Sequence, residues 1–177
     1  METKKALALR QSCRAYNGEQ ISESELTSIL EAANAAPVGM KKYENVKLTV
    51  IQNKELLSKL DAAGAKFFGN PKMHPLYSAP TVILVSVIAP ENPQYPGSYC
   101  NAACIIENMA LAATDLGLGS VYIMGTIIAL AMDQELSKEF GVPQGFVPAS
   151  AIAIGKAAAE LEERAFTLDR IETEYLR

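Results

Sequence analysis

The sequence predicts a single domain that mixes helices and strands, and three observations carry this. Segments with helical spacing of apolar residues alternate along the chain with β-branched runs of strand length. The 177 residues, 49% of them hydrophobic, suffice to bury one real core, and no repeat, low-complexity tract or linker divides them. One segment, Tyr99 to Leu116, is apolar nearly all round, which belongs at the centre of such a fold rather than on its surface.

Taken in order, Thr3 to Leu9 reads as a short helix that runs into Arg10-Gln11-Ser12-Cys13-Arg14-Ala15-Tyr16. Ser22 followed by Glu25 makes a capping box, and Leu26, Ile29, Leu30 and Ala33 then keep helical spacing to about Ala36, where Pro37 stops the helix. Val46 to Ile51 alternates and is β-branched, hence a strand, and Lys54 to Ala63 has the pattern of a short helix. Gly64 to Ala79 combines glycines, prolines, aromatics and His74 without a period, which predicts a long ordered loop of a length that often carries function. Thr81 to Ile88 is a nearly continuous apolar run and reads as a strand buried on both faces. Ala89 to Ser98, with three prolines and a glycine, reads as a loop.

Tyr99 to Leu116 follows as the central helix. It is short for a membrane span and carries Glu107, Asn108 and Asp115, while its small residues let another helix approach closely. It is expected to be partly covered by a second subunit. Gly117-Leu118-Gly119-Ser120 ends it, Val121 to Met124 is a strand, Met132 to Phe140 a short helix, and Phe146 to Gly155 the last strand. Lys156 to Arg177 is a charged tail with a few apolar anchors, among them Leu161, Phe166, Leu168, Ile171, Tyr175 and Leu176. It is either frayed or laid over a partner.

Composition removes several classes of function. A net charge of −4 provides no basic field for broad nucleic-acid binding. The amino terminus lacks the apolar core of a signal peptide, and three cysteines at no metal spacing fit a reducing cytoplasm. Cys100 and Cys104 share a helix face, but two soft ligands and one histidine do not make a metal site, and both are expected to be small core residues. No Ser/His/acid order and no Walker loop is present, and Gly117-Leu118-Gly119 is too little for a dinucleotide fingerprint. Chemistry without acid or base machinery points to a bound cofactor.

The arginine segment is the best candidate for holding one. If it is extended, Arg10, Ser12 and Arg14 point to one side as two fixed cations and a small donor, suited to a phosphate or a carboxylate. If it is helical, only Arg10 and Arg14 share a face, and the plain alternative is a solvated helix end.

With those residues the sequence resembles the flavin-dependent nitroreductase family, whose phosphate-binding start reads Arg-x-Ser-x-Arg-x-Phe/Tyr. Ile21 to Pro37 is similar to that family's second helix ending in Ala-Ala-Pro. Asn101 to Met124 is similar to its central helix, Leu-Gly-Leu-Gly-Ser and following strand, and Phe146 to Gly155 to its closing strand. The resemblance implies an α+β fold, a mostly antiparallel central sheet flanked by helices. It further implies a homodimer with the carboxy-terminal tail over the partner and FMN in a groove at the interface. Arg10, Ser12 and Arg14 would hold the phosphate, with Gln11 near the pyrimidine edge. Asn70 and Lys72 match positions that contact the ring, and Met124 and Gly125 match the turn whose backbone N–H faces N5. Lys156 or Arg164 would add a further phosphate contact. Tyr99, Tyr122 and Phe68 are expected to pack rather than stack on flavin.

One departure is plain. After Pro37 the family reads Ser-x-x-Asn-x-Gln-Pro-Trp, whereas this chain reads Val38-Gly39-Met40-Lys41-Lys42-Tyr43-Glu44-Asn45-Val46, leaving Met40, Lys41 or Lys42 to replace those contacts. The implied activity is a ping-pong transfer of hydride from NAD(P)H through FMN to nitro compounds, quinones or similar conjugated acceptors. Members that fragment flavin or dehalogenate aromatics, and a slow flavin-binding sensor or carrier, are the alternatives.

Overall fold

The strands sort their side chains between two cores by alternation. The computed structural model describes residues 1–90 and 97–177. In β2 (Thr81–Ile88), Ile83, Val85 and Val87 face one core, shared with α2 (Glu23–Asn34) and α4 (Gly97–Asp115). Val82 and Leu84 face the other, shared with α3 (Lys54–Phe67), α5 (Gly125–Met132) and α6 (Gln134–Glu139). Burial on both sides accounts for the unbroken apolar run in β2.

With β1 (Val46–Ile51), β3 (Gly119–Ile123) and β4 (Phe146–Gly155), the sheet has the order β1-β2-β4-β3 and every pairing is antiparallel. The chain therefore has the α+β, helix-flanked antiparallel architecture expected from the resemblance. Pro148 lies in the interior strand β4, where a residue without an N–H is normally excluded. It is accommodated by a shift of register: Val85 pairs Ser150, Ser86 pairs Pro148, and Ala149 bulges out between them.

Short-range signals explain the helices that were foreseen. α1 (Thr3–Leu9) and α2 lie where the spacing put them, α2 ending at Asn34, just short of Ala36. Ser22 and Glu25 form the reciprocal capping box, the Ser22 N–H reaching Glu25 Oε2 at 2.6 Å and the Glu25 N–H reaching Ser22 Oγ at 3.2 Å.

The corrections come from tertiary contacts. α3 does not stop at Ala63 but runs through Gly64 to Phe67. Gly64 is a packing position there, since an added Cβ would lie 2.4 Å from Thr126 Oγ1 and 2.7 Å from Pro75 Cγ. The expected helix from Met132 to Phe140 is present in shorter form as α6, and α5, which was not expected, precedes it. They break at Asp133, whose extended backbone and carboxylate cap the Leu136 N–H at 2.9 Å. β3 starts earlier than expected, at Gly119. α4 starts at Gly97, and residues 91–96 of the expected Ala89–Ser98 loop lie outside those described.

Cys100 and Cys104 are not core residues. Both are exposed, on a stripe of α4 with Ala103 and Glu107, whereas Cys13 is buried. α4 is thus central on one side only, through Ala102, Ile105, Ile106, Met109 and Ala113. The tail returns along its own amino-terminal segment, the Ala158 N–H reaching Ala15 O and the Arg164 N–H reaching Ala8 O, each at 3.0 Å. Beyond that point Phe166, Leu168, Ile171, Tyr175 and Leu176 are all exposed. Among the described residues no helix is long and apolar enough to cross a membrane.

Candidate functional site

α1 ends at Arg10, whose N–H bonds Ala6 O at 2.8 Å before the backbone turns extended. The segment then lies against the edge of the sheet. Ser12 forms a parallel bridge with Ser120, the Cys13 N–H bonds Ser120 O at 2.8 Å, and Tyr16 forms an antiparallel bridge with Ala157. Side chains alternate as an extended segment requires: Cys13 is buried, while Ser12 and Arg14 are exposed. The close approach depends on Gly119, where an added Cβ would sit 2.6 Å from Cys13 Sγ. Tyr16 anchors the far end, its hydroxyl shared between Cys13 O at 3.1 Å and Ala153 O at 3.2 Å. Burial, with Cys13 alongside, pushes the Tyr16 phenol far above its ordinary value, so it remains a donor throughout the physiological range.

The cations of this strip differ in engagement. Arg10 is half-buried, with Nε 3.5 Å from Glu107 Oε1 on α4. Arg14 is exposed and has no ion-pair partner among the described residues. Arg164 turns its guanidinium onto the carbonyls at the end of α1, with Nε on Ala8 O at 3.3 Å, Nη2 on Leu7 O at 3.2 Å and a further bond to Arg10 O. A cation there complements the negative end of the helix. Lys156 is half-buried and paired with Glu19 Oε2 at 2.5 Å, a bond that raises its ammonium above the usual lysine value. Gln11 is tied to the backbone, its Nε2 3.4 Å from Leu9 O and 3.3 Å from Glu162 O.

β3 joins this strip to a second cluster. Met124 lies four positions beyond Ser120, which at about 3.3 Å per residue puts the turn about 13 Å along the strand. Met124 is half-exposed and caps α5, and Gly125 follows. Gly125 is a second close approach, because an added Cβ would be 2.1 Å from Phe68 Cζ. Phe68 opens the loop that carries Asn70 and Lys72, so that loop is brought against the Met124–Gly125 turn. There the Asn70 carbonyl oxygen of the side chain accepts the Lys72 N–H at 3.1 Å, and both residues are exposed. Phe68 thus packs on Gly125 while remaining half-exposed. Tyr99 and Tyr122 are also partly exposed.

Lys41 stands elsewhere. Its loop is held at the amino-terminal part of α4 by a bond from the Gly39 N–H to Asn101 Oδ1 at 3.1 Å. Met40 and Lys41 have left-handed backbones, with φ of 55° and 57°, and both are exposed. Among the described residues no hydrogen bond or ion pair links Lys41 to the arginine segment. Sequence reasoning missed the two glycine contacts that set the spacing of the site, Gly119 on Cys13 and Gly125 on Phe68. It also missed Asp61, which bonds His74 and the Leu76 N–H across the base of the Phe68–Pro80 loop. Only the glycines left a signal, each sitting at the end of a strand-like run.

Comparisons with known proteins agree with this arrangement. Residues 7–156 match the model of the Nitroreductase family. An Archaeoglobus fulgidus protein whose provisional name is NADH dehydrogenase/NAD(P)H nitroreductase is 31% identical, the alignment covering 98% of each chain. A Desulfitobacterium hafniense nitroreductase solved with bound FMN superposes with a TM-score of 0.83 at 27% identity, over 99% of this chain and 100% of that one. A Bacteroides fragilis nitroreductase, also solved with bound FMN, gives a TM-score of 0.81 at 28% identity over the same shares. A family match spanning both the arginine segment and β4, together with a relative similar from end to end, establishes that this chain belongs to the nitroreductase family.

Proposed function

We propose that the chain is an FMN-dependent oxidoreductase that takes a hydride from NAD(P)H and passes it to a flat conjugated acceptor, such as a nitroaromatic or a quinone. Family membership supports this, as do the FMN bound in two solved nitroreductases of matching length and the NAD(P)H in the name of the archaeal relative.

The residues fit the cofactor. FMN has an anionic phosphate at one end and a planar ring with polar edges at the other. Ser12 and Arg14 project from a backbone bonded to β3, and with Arg10 they would hold the phosphate by charge-assisted hydrogen bonds. The Arg10–Glu107 pair, at 3.5 Å and partly exposed, is no obstacle, a solvent-exposed pair being worth about 0–1 kcal/mol. Gln11 would lie near the pyrimidine edge. Asn70 and Lys72 would meet the ring, where the lysine cation favours negative charge on its reduced form. The backbone N–H groups at Met124 and Gly125 would face N5. Arg164, at the root of the segment, and Lys156, beside Glu19, would add positive potential to the phosphate end. Bound FMN would supply the hydride relay, NAD(P)H giving and the acceptor taking at the same centre in two half-reactions. The observation that carries the reading is the spacing along β3, a fixed cationic strip at one end and the Met124–Gly125 turn with its Lys72 loop at the other.

The working unit in this reading is a homodimer, with the groove completed at its interface. The exposed stripe of Cys100, Ala103 and Cys104 and the uncovered apolar side chains of the tail support it. A monomeric sedimentation profile at micromolar concentration would count against it.

The test is retention of flavin. The purified protein is expected to be yellow, to release FMN on denaturation and to bleach rapidly with NADH or NADPH without oxygen. Arg14→Ala is expected to weaken FMN binding by about 1.5–3 kcal/mol, roughly 10- to 150-fold. Unchanged FMN affinity in that variant would remove the phosphate assignment.

A further inference from the structure

The Phe68–Pro80 loop is longer than a simple connection, yet it is fixed at two points. At its start α3 ends in a Schellman turn. The Asn70 N–H bonds Ala65 O at 3.1 Å and the Gly69 N–H bonds Lys66 O at 3.0 Å, with Gly69 in the left-handed region at φ 65°. The second point is a single carboxylate. Asp61, on α3 one turn before Gly64 and with a side chain only 19% exposed, accepts His74 Nδ1 on one oxygen at 2.8 Å and the Leu76 N–H on the other at 2.8 Å. Below this clasp Pro75 packs on Gly64, and Leu76 and Ala79 are buried. Beyond it the chain holds two non-glycine residues with left-handed backbones, Tyr77 at φ 55° and Ser78 at φ 60°. Such conformations cost free energy and persist where surrounding contacts over-determine them.

Lys72 lies on the arch between the two footings. Its N–H bonds Asn70 Oδ1 at 3.1 Å, and the Met73 N–H bonds Asn70 O at 3.0 Å. Nothing else among the described hydrogen bonds and ion pairs holds the Lys72 side chain, so its position is set by the arch.

We propose that Asp61 is a positioning residue of the flavin site. By clasping His74 and Leu76 to α3 it fixes the arch that presents Asn70 and Lys72, and thereby tunes how strongly bound FMN is stabilised in its reduced form. This rests on the reading that Lys72 meets the flavin ring. The electrostatic effect of a cation falls with distance and with loss of fixed orientation, so a loosened arch weakens the interaction with the reduced ring more than with the neutral oxidised ring.

The experiment combines Asp61→Asn, Lys72→Ala and the double variant in the FMN-loaded protein. It reads the midpoint potential by equilibration with redox dyes and, in the FMN-free protein, hydrogen exchange of the Leu76 amide. Asp61→Asn is expected to speed exchange at Leu76 at least tenfold. It is also expected to cost the reduced form about tenfold more affinity than the oxidised one, a fall of about 30 mV for a two-electron couple. In the Lys72→Ala background, Asp61→Asn is expected to move the potential no further, because the group through which it acts is gone. His74→Ala, at an exposed position and removing one of the two clasp contacts, is expected to shift the potential in the same direction by less, and it serves if Asp61→Asn does not fold. If Lys72→Ala lowers the potential while Asp61→Asn and His74→Ala leave it unchanged, or if the effects of Asp61→Asn and Lys72→Ala simply add, the positioning role is overturned. If Lys72→Ala leaves the potential unchanged with FMN bound, the ring contact itself is wrong and the positioning role falls with it.

Discussion

Two irregular segments of this protein each carry a pair of cations, and they are held in opposite ways. Arg10 and Arg14 sit on a backbone bonded to the sheet through Ser120 and to the tail through Lys156 and Ala158, with Cys13 buried beneath. Lys41 and Lys42 sit on a loop whose residues 39–44 are all exposed, joined to α4 by a bond from Gly39 to Asn101. Pairing with the sheet removes most of the freedom of the first segment before any ligand arrives. Its charges are therefore preorganised, and an anion binding there loses little to ordering. The second segment is set by its own turns and by that bond from Gly39 at its start.

The sharpest way to break this contrast is to push the arginine segment off the sheet. Gly119→Val places a branched side chain where even a Cβ would be 2.6 Å from Cys13 Sγ and 2.9 Å from Cys13 Cβ. The neighbouring atoms belong to a buried side chain on the segment itself, so the segment must move. A loss of about 3 kcal/mol of stability is expected, measured by urea unfolding, together with failure to retain FMN. A variant that keeps both would show that the phosphate site does not depend on docking against β3.

The same contrast decides what could be read from the sequence. The arginine segment was legible because extended alternation and a helix end are short-range properties, and the strands of the sheet were legible for the same reason. α5 was not. Gly125 to Met132 is an apolar run without a helical period, and it is a helix because Ile127 and Leu130 fill the core beside α3. Gly64 looked like a breaker and is a contact with Thr126 and Pro75. Cys100 and Cys104 looked like core residues because they make no metal site and their helix is apolar nearly all round, and which side the sheet covers is a tertiary fact. The placement of Lys41 relative to the site is the least legible, since no local rule specifies two successive left-handed residues.

A smaller effect sharpens the comparison from the side of α2, the helix from whose end the lysine loop departs. Ser22→Ala removes the cap and is expected to cost about 1 kcal/mol at neutral pH. Glu25, the other half of the box, has its carboxyl held below the ordinary value of 4.5 by the Ser22 N–H first and the Ser22 hydroxyl second. A carboxylate lowered in the folded state contributes stability that is fully present above its unfolded value and is lost as pH falls through the lowered folded value. The destabilisation by Ser22→Ala is therefore expected to shrink in unfolding experiments taken into the acid range below 4.5. A difference that stays constant with pH would mean that Glu25 does not take part.

The smallest expected effect is the most discriminating for the lysine loop. Lys41 is exposed, its ammonium makes no ion pair among the described residues, and its backbone holds a left-handed conformation that alanine tolerates about as poorly as lysine. Lys41→Ala is therefore expected to change unfolding stability by less than about 0.5 kcal/mol. Among the described residues no hydrogen bond or ion pair connects this loop to the arginine strip within one copy, so in the dimeric reading its effect on FMN is expected to come through assembly. Measured across protein concentration, a contribution of Lys41 to FMN affinity is expected only where a homodimer forms, whereas a contribution of Arg14 is expected from the single chain as well. An equal loss for both variants in a monomeric preparation would contradict the division between a segment fixed on the sheet and a loop that acts only through assembly.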